Sequence, residues 1–287
     1  MILEESLSLS MTLVNNRFQI LHEIGRGTFG VVYKGEDMEH PYRAYVAIKC
    51  DFSEVNLLRH EATMLNYLNQ RCSKKQRTLL AIPKVHWYGI VDGRHAAMVI
   101  PHYDGGTLTQ FIQQQSCPLS SGLIHHMMQD MLSILQTIHE LYVIHRDLKP
   151  DNFLINRNGK LVLIDFGLST FYIDGDSGKH VPKNAEPANE IVGSPLYASL
   201  NTHLGIRNSR RDDCLQIGYI GLYVGLLGHV PWEDFPFESP LLTDPMNRQR
   251  YHAKKNLEIS DDVWMAYMKR CQSLSYEEEP VYKIRME

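Results

Sequence analysis

The sequence predicts a bilobal α+β protein, with a small antiparallel β-sheet and one helix in its N-terminal part and a larger, mainly helical C-terminal part. Residues 18–51 and 85–100 are rich in β-branched and aromatic residues and partly alternate, which is typical of strands. Residues 119–142 repeat apolar side chains with helical spacing. A chain of 287 residues that is 44% hydrophobic can bury a sizeable core, so strands followed by helices indicate an α+β fold.

Composition excludes several classes of protein. The chain has 29 Lys and Arg against 33 Asp and Glu, a net charge of −4, which argues against nucleic-acid or membrane partners. The five cysteines are scattered without a C-x-x-C, so a reducing compartment is expected. The longest apolar run, 217–230, is shorter than the roughly 20 residues that span a bilayer, and we interpret it as a buried helix. Glu4 and Glu5 argue against a signal peptide.

Each segment has its own pattern. In the N-terminal part we predict a helix over 53–69, where Leu57, Leu58, Leu65 and Leu68 share a face. The remaining predicted elements of that part are strands, at 18–24, 31–33, 45–50, 85–91 and 96–100. Residues 101–106 form a connector. In the C-terminal part, the methionines within 119–142 fit a core-facing stripe better than a cofactor site.

Glycines at positions 25, 27 and 30 form a G-x-G-x-x-G motif. By itself this motif also fits a flexible turn or a dinucleotide site. A dinucleotide site needs a helix directly after the glycines, whereas Val31-Val-Tyr-Lys-Gly35 continues as a strand. A glycine loop between two strands can fold over nucleotide phosphates, because no Cβ keeps the backbone away. Val32 would then cover the adenine.

Lys49 lies on a strand built otherwise of apolar residues, in the motif Val46-Ala-Ile-Lys49. Its ammonium could simply extend into water. Alternatively it binds α- and β-phosphates and is held by a helix glutamate, Glu54 or Glu61. Glu61 is favoured because the neighbouring leucines place it near the inward face of the helix, whereas helix-dipole stabilisation explains Glu54.

The third motif is His145-Arg-Asp-Leu-Lys-Pro-Asp-Asn152, followed by Asp165-Phe-Gly167. Phosphoryl transfer depends on positioning and on charge neutralisation. Asp147 would accept the proton of the substrate hydroxyl, and Lys149 would steady the phosphoryl group. Asn152 and Asp165 carry the oxygen ligands that suit Mg²⁺. The three motifs in this order predict a phosphotransferase.

The chain resembles eukaryotic protein kinases over nearly its whole length, and more narrowly the casein kinase 1 family with its vaccinia-related cousins. The narrower resemblance rests on Lys149–Leu154 and on Tyr197–Gly205, where Ala198-Ser-Leu-Asn201 stands in place of A-P-E. It implies a protein kinase fold. The expected division is an N-terminal extension (1–17), an N-lobe (18–100), a hinge (101–106) and a C-lobe (107–287).

The resemblance also implies ATP and Mg²⁺ as cofactors. Ile100 would be the gatekeeper, with the Pro101 carbonyl and the Tyr103 N–H facing adenine. The full set of expected nucleotide-binding residues is Ile24, Gly25, Gly27, Gly30, Val32, Ala47, Lys49, Glu61, Ile100, Pro101, Tyr103 and Leu154. Asp213 would anchor the catalytic loop, although an acid at a helix start has a simpler explanation.

The implied activity is that of a monomeric Ser/Thr protein kinase of the cytoplasm or nucleus, acting on protein substrates with acidic groups near the target. A pseudokinase scaffold and a small-molecule kinase are the alternatives. Residues 183–190 lack the arginine of the family, and Glu233 and Asp234 replace lysines after Pro231-Trp232. We therefore do not extend phosphate-primed recognition to this chain. Arg207, Arg210 and Arg211 could replace those cations, or could be structural.

Overall fold

The structure is a computed structural model that describes residues 13–27, 30–52, 57–73, 76, 81–183, 189–236 and 239–284. The chain forms two compact units. The first comprises residues up to Arg71 together with 82–104 and 165–167; the second comprises 72–81, 105–164 and 168 onwards. In the described ranges, no helix is both long enough and apolar enough to cross a bilayer.

The first unit is built on six antiparallel strands: β1 (Leu13–Val14), β2 (Phe18–Arg26), β3 (Gly30–Asp37), β4 (Tyr45–Asp51), β5 (Trp87–Val91) and β6 (His95–Pro101). Their order in the sheet is β1-β2-β3-β4-β6-β5. Phe18, Ile48 and Val99 belong to the buried core of one sheet face. Leu13–Val14 pairs with β2, so part of the expected N-terminal extension belongs to the sheet.

The single helix of this unit, α1 (Leu57–Arg71), packs against β6. Its buried face includes Leu58, Leu65 and Leu68, as the spacing of the leucines predicts, and it also includes Glu61. Residues 53–56, where the sequence predicts the start of the helix, lie outside the described residues. The α+β character expected for the N-terminal part is therefore what the structure shows.

The second unit is mainly helical. Its helices are α2 (Leu108–Gln113), α3 (Ser121–Glu140), α4 (Leu200–His203), α5 (Arg210–Gly225), α6 (Pro245–Lys255) and α7 (Asp262–Ser273). Two short ladders complete it, β7 (Val143–Ile144) with β10 (Thr170–Phe171) and β8 (Phe153–Ile155) with β9 (Leu161–Leu163). In α3, Met128 and Met131 are fully buried and Met127 is half-buried, so most of the predicted methionine stripe is core.

The helix predicted over 217–230 has different bounds, Arg210–Gly225. At its start, the Ser209 N–H donates to the Asp212 carboxylate at 2.8 Å, which caps the first turn. At its end, Leu227 and Gly228 adopt positive φ (54° and 94°), and the Gly228 N–H bonds to the Tyr223 carbonyl at 2.8 Å. This Schellman-type end stops the helix although the apolar run continues. Capping therefore sets the helix limits, and hydrophobicity does not.

Candidate active site: a lysine–carboxylate cluster and a catalytic loop

Lys49 is held by two carboxylates in the first unit. Its Nζ lies 2.6 Å from Glu61 Oε2 and 3.2 Å from Asp165 Oδ1. Glu61 is almost completely buried on the inward face of α1. The lysine side chain therefore does not simply extend into water, and the favoured partner, Glu61, is the one in contact. The alternative, Glu54, lies outside the described residues.

The charge state of this cluster suits phosphate binding. Burial disfavours the ammonium, but the carboxylates of Glu61 and Asp165 outweigh that cost and raise the pKa of Lys49. Lys49 is therefore cationic at neutral pH. An ammonium has three N–H groups and these two contacts use two of them, so a third can reach a phosphate oxygen. About a third of the Lys49 side chain (34%) remains exposed, which gives a ligand access to it.

The glycine motif lies on the hairpin between β2 and β3. The Gly27 N–H donates to the Gly30 carbonyl at 2.9 Å, which closes the turn, while Thr28 and Phe29 lie outside the described residues. At Gly30 a Cβ would lie 2.0 Å from the Cys50 carbonyl oxygen, so only glycine fits. At Gly25 and Gly27 a Cβ would meet no atom of the described residues within 4 Å. This open backbone fits the phosphates of a nucleotide.

The other expected nucleotide-binding residues are distributed over both units. In the first unit, Ile24 is exposed near the end of β2, and Val32 on β3 and Ala47 on β4 are half-buried. Strand β6 ends with Ile100 and Pro101, and Tyr103 follows it. Leu154 lies on β8 in the second unit. The two expected magnesium ligands also fall in different units, Asp165 in the first and Asn152 in the second.

Asp165 has an unusual backbone. Its φ of 64° lies in the left-handed region, which a non-glycine residue adopts only when its surroundings enforce it. More than a third of its side chain (38%) is exposed, so its carboxylate can both accept from Lys49 and meet a cation. The oxygen donor chemistry of the Asp165 carboxylate therefore fits a cation such as Mg²⁺.

The catalytic loop of the second unit is folded around Asp147. The two carboxylate oxygens of Asp147 accept separate hydrogen bonds, Oδ1 from the Ser194 N–H at 2.7 Å and Oδ2 from Lys149 Nζ at 2.8 Å. Lys149 Nζ also donates to Ser194 Oγ at 3.2 Å. The Asn152 side chain donates to the Asp147 carbonyl at 2.8 Å. Of the predicted catalytic residues, the structure thus brings Asp147, Lys149 and Asn152 together, with Asp147 oriented by fixed donors.

Asp213 anchors this loop from the first turn of α5. Its Oδ2 accepts from the His145 N–H at 2.7 Å, and its Oδ1 accepts from the Arg146 N–H at 2.9 Å. Oδ2 also accepts from His139 Nε2 at 3.0 Å. Asp213 is completely buried, which disfavours its charge, yet these donors lower its pKa. The anchoring geometry expected for Asp213 is therefore present, beyond any effect of the helix dipole.

Three residues of this network were missed from the sequence. Gln216, one turn after Asp213, accepts from the Leu148 N–H at 3.2 Å and donates to the Arg146 carbonyl at 3.5 Å. His139 Nδ1 lies 2.8 Å from the Tyr282 hydroxyl, which donates to it because Nε2 carries the proton. A buried polar residue within an apolar helix was the available signal for Gln216 and for His139. Nothing in the sequence indicated Tyr282.

Two of the three arginines considered as phosphate receptors, Arg210 and Arg211, have structural partners. Arg210 donates to the Glu277 carbonyl at 2.6 Å and stacks on Tyr172, and Arg211 donates to the Leu274 carbonyl at 2.5 Å. Both therefore hold the chain that follows α7. Arg146 Nε donates to the Leu168 carbonyl at 2.6 Å. Residues 184–188, within the segment 183–190 that lacks the arginine of the family, lie outside the described residues.

Gly193, next to Ser194, gives a direct test of the catalytic loop. Its φ is 84°, and a Cβ there would lie 2.5 Å from the Arg146 carbonyl oxygen and 3.1 Å from Asp147 Oδ1. The phosphoryl transfer that the sequence predicts should fall by at least about tenfold in Gly193→Ala, since small displacements of catalytic groups are costly. Gly159→Ala is the matched control, because Gly159 has a φ of 72° and open space at its Cβ. Equal rates for the two variants in a labelled-ATP assay would contradict the assigned loop geometry.

The buried imidazole of His139 predicts a pH dependence of stability. Burial lowers the pKa of His139, against the opposing effect of Asp213. The folded protein thus keeps this ring neutral, whereas the unfolded chain gains a proton below pH ~6.5. The free energy of unfolding should fall as the pH is lowered from 7.5 to 5, with up to about 1.4 kcal/mol per pH unit from this group.

Urea titrations across that pH range measure the slope. His139→Gln should reduce the slope by the contribution of this one group, while His126→Gln, an exposed position on the same helix, should not. Equal slopes for wild type and His139→Gln would show that His139 is not held neutral by the fold.

Two comparisons with known proteins bear on the family and the fold. Residues 18–234 match the family model described as protein kinase domain, which is more than half of the chain. A solved structure titled "Structure of vaccinia related kinase 3" superposes with a TM-score of 0.74 at 21% identity, covering 92% of this chain and 83% of that one. At that identity the likeness shows the fold alone. The predicted bilobal kinase fold is confirmed, and the chain belongs to the protein kinase domain family.

Proposed function

We propose that this protein is an ATP-dependent serine/threonine protein kinase of the casein kinase 1 type. The observation that carries the proposal is the contact of Lys49 with both Glu61 and Asp165. In protein kinases the strand lysine must pair with its helix glutamate, and the aspartate of the D-F-G motif must be in place. Here the three groups are together, with the lysine cationic. This arrangement favours an active enzyme over a nucleotide-binding scaffold.

The residues of the lysine–carboxylate cluster and of the catalytic loop then have separate roles in transfer. The Lys49 ammonium positions the α- and β-phosphates, and Asn152 with Asp165 would hold Mg²⁺, which when bound neutralises charge on the phosphate oxygens. The substrate hydroxyl oxygen bonds to the γ-phosphorus, the bond to the ADP oxygen breaks, and the hydroxyl proton passes to Asp147. The contact of Lys149 with Asp147 keeps a cation beside the transferring group. Asp147 is oriented before the substrate arrives.

The casein kinase 1 assignment is supported by the segment that replaces A-P-E. Ser199 Oγ donates to Asp212 Oδ1 at 2.6 Å, and the Asn201 amide donates to the same oxygen at 2.9 Å. Asp212 is fully buried, and burial raises its pKa. The serine and asparagine of Ala198-Ser-Leu-Asn201 thus have a defined structural purpose, because they satisfy a buried acid at the start of α5.

The proposal extends to substrates and location. Protein substrates follow from the family, and we propose Ser or Thr hydroxyls as acceptors for a monomeric enzyme. Glu233, after Trp232, accepts from His229 at 2.7 Å, and this acid does not suit a phosphorylated substrate. A reducing compartment, the cytoplasm or the nucleus, is supported by the absence of disulfides among Cys50, Cys72, Cys117, Cys214 and Cys271.

The test is transfer from γ-labelled ATP to casein or a peptide array, followed by phosphoamino-acid analysis. Wild type with Mg²⁺ should label Ser and Thr. Asp147→Asn should lower kcat by at least about 100-fold, because it removes the proton acceptor. Asp151→Asn, an exposed carboxylate in the same loop, is the matched control and should retain its rate.

Each alternative result has a clear meaning. Wild type that binds ATP without transferring its phosphoryl group would contradict the proposal and indicate a scaffold. Label on tyrosine, or on small molecules only, would contradict the assigned substrate class.

A further inference from the structure

Lys254, near the end of α6, is completely buried. A lysine is rarely fully buried unless an anion accompanies it. Among the described residues, the hydrogen-bond acceptors of Lys254 Nζ are all neutral: the carbonyls of Pro195 at 2.9 Å and Ala198 at 2.8 Å, and His203 Nε2 at 2.9 Å. The faces of Tyr219 and Trp232 lie 5.0 and 5.2 Å from the ammonium. Two carbonyls, one ring nitrogen and two π-faces thus replace a carboxylate partner.

Burial and the nearby Arg250 guanidinium lower the pKa of Lys254, whereas three acceptors around Nζ oppose that shift. An ammonium has three N–H donors, and three acceptors lie within bonding distance. His203 Nε2 can accept only if the ring proton is on Nδ1, and Nδ1 faces the Asn247 side-chain oxygen. The Asn247 amide nitrogen, in turn, donates to the carbonyls of His203 and Leu242 at 3.2 Å each. The orientation of the Asn247 amide thus places the His203 ring proton on Nδ1. His203 Nε2 can therefore accept the third hydrogen bond from Lys254.

The carbonyls that Lys254 binds belong to the segment Ser194–Ala198, which we call the anchored segment. It begins at the catalytic loop, since the Ser194 N–H donates to Asp147 at 2.7 Å. The Leu196 carbonyl accepts from Trp232 Nε1 at 2.7 Å, and the Ser194 carbonyl accepts from the N–H groups of Tyr197 and Ala198 at 3.0 Å. Four of the five carbonyls of this segment thus have identified donors. The Ser194 carbonyl is held by backbone N–H groups of the segment itself. The carbonyls of Pro195, Leu196 and Ala198 are held by the side chains of Lys254 and Trp232.

We propose that Lys254 is a positioning residue for the protein substrate. With Trp232, it fixes the backbone of the anchored segment beside Asp147, so that this segment forms a rigid surface on which the substrate chain lies next to the target hydroxyl. The inference rests on the proposed kinase function. It adds a role that no motif assigned, because Lys254 is 107 residues beyond Asp147 and touches no reacting group.

Lys254→Met tests this role, because methionine keeps the length of the side chain but removes all three donors. The KM for a peptide substrate should rise at least about tenfold, with the KM for ATP nearly unchanged, as expected when only one substrate is affected. Amide exchange at Tyr197 and Ala198 should accelerate by about tenfold or more, and exchange in α3 should not change. Lys255→Met, at the exposed neighbour, is the matched control and should behave as wild type.

The outcomes separate this inference from the proposed function. Wild type that transfers no phosphoryl group would refute the kinase proposal, while amide exchange would still report whether Lys254 anchors the segment. A folded Lys254→Met variant with wild-type peptide KM and wild-type exchange overturns the inference. If Lys254→Met does not fold, Trp232→Phe removes the donor to Leu196 and keeps an aromatic ring at this position. A raised peptide KM in that variant supports the role of the anchored segment, and an unchanged one overturns it.

Discussion

The structure of the catalytic loop depends on one buried carboxylate, that of Asp213. It accepts from two consecutive backbone N–H groups, those of His145 and Arg146, and from the ring of His139. Arg146 has a φ of 71°, a strained conformation that persists only when its surroundings determine it. The Asp213 carboxylate can hold Arg146 in this conformation, because the carboxylate is fully buried and its hydrogen bonds form in a low-dielectric environment. Gln216, one turn later, adds two more contacts to the same loop.

From this anchor, a continuous series of hydrogen bonds reaches the expected site of chemistry and continues beyond it. The anchored loop presents Asp147, which accepts from the Ser194 N–H. Ser194 begins the segment whose carbonyls are held by Trp232 and Lys254. Helices α5 and α6 and the chain around Trp232 therefore position Asp147, the proposed proton acceptor, and its neighbouring surface with side chains that touch no reacting group. This is typical of sites in which supporting contacts fix the catalytic residues.

The sequence predicted those features that depend on local patterns. Alternation and helical spacing identified the strands and α1, and the inward face of α1 identified Glu61 as the partner of Lys49. Sequence patterns could not predict contacts that depend on long-range packing. Lys254 stands beside the exposed Lys255, and only the fold shows that one of the two is buried. The limits of α5 were mispredicted because the cap at Ser209 and the left-handed residues at its end outweigh hydrophobicity.

The central claim is that the Asp213 carboxylate holds the catalytic loop, and native-state amide hydrogen exchange of the Asp213→Asn variant tests it most directly. Loss of a hydrogen bond to a buried charge costs about 1.5–3 kcal/mol, so exchange at His145 and Arg146 should accelerate roughly tenfold to 100-fold. Asp212→Asn, whose carboxylate binds Ser199 and Asn201 instead, should leave these two amides unchanged. Unchanged exchange of His145 and Arg146 in a folded Asp213→Asn protein would contradict the account.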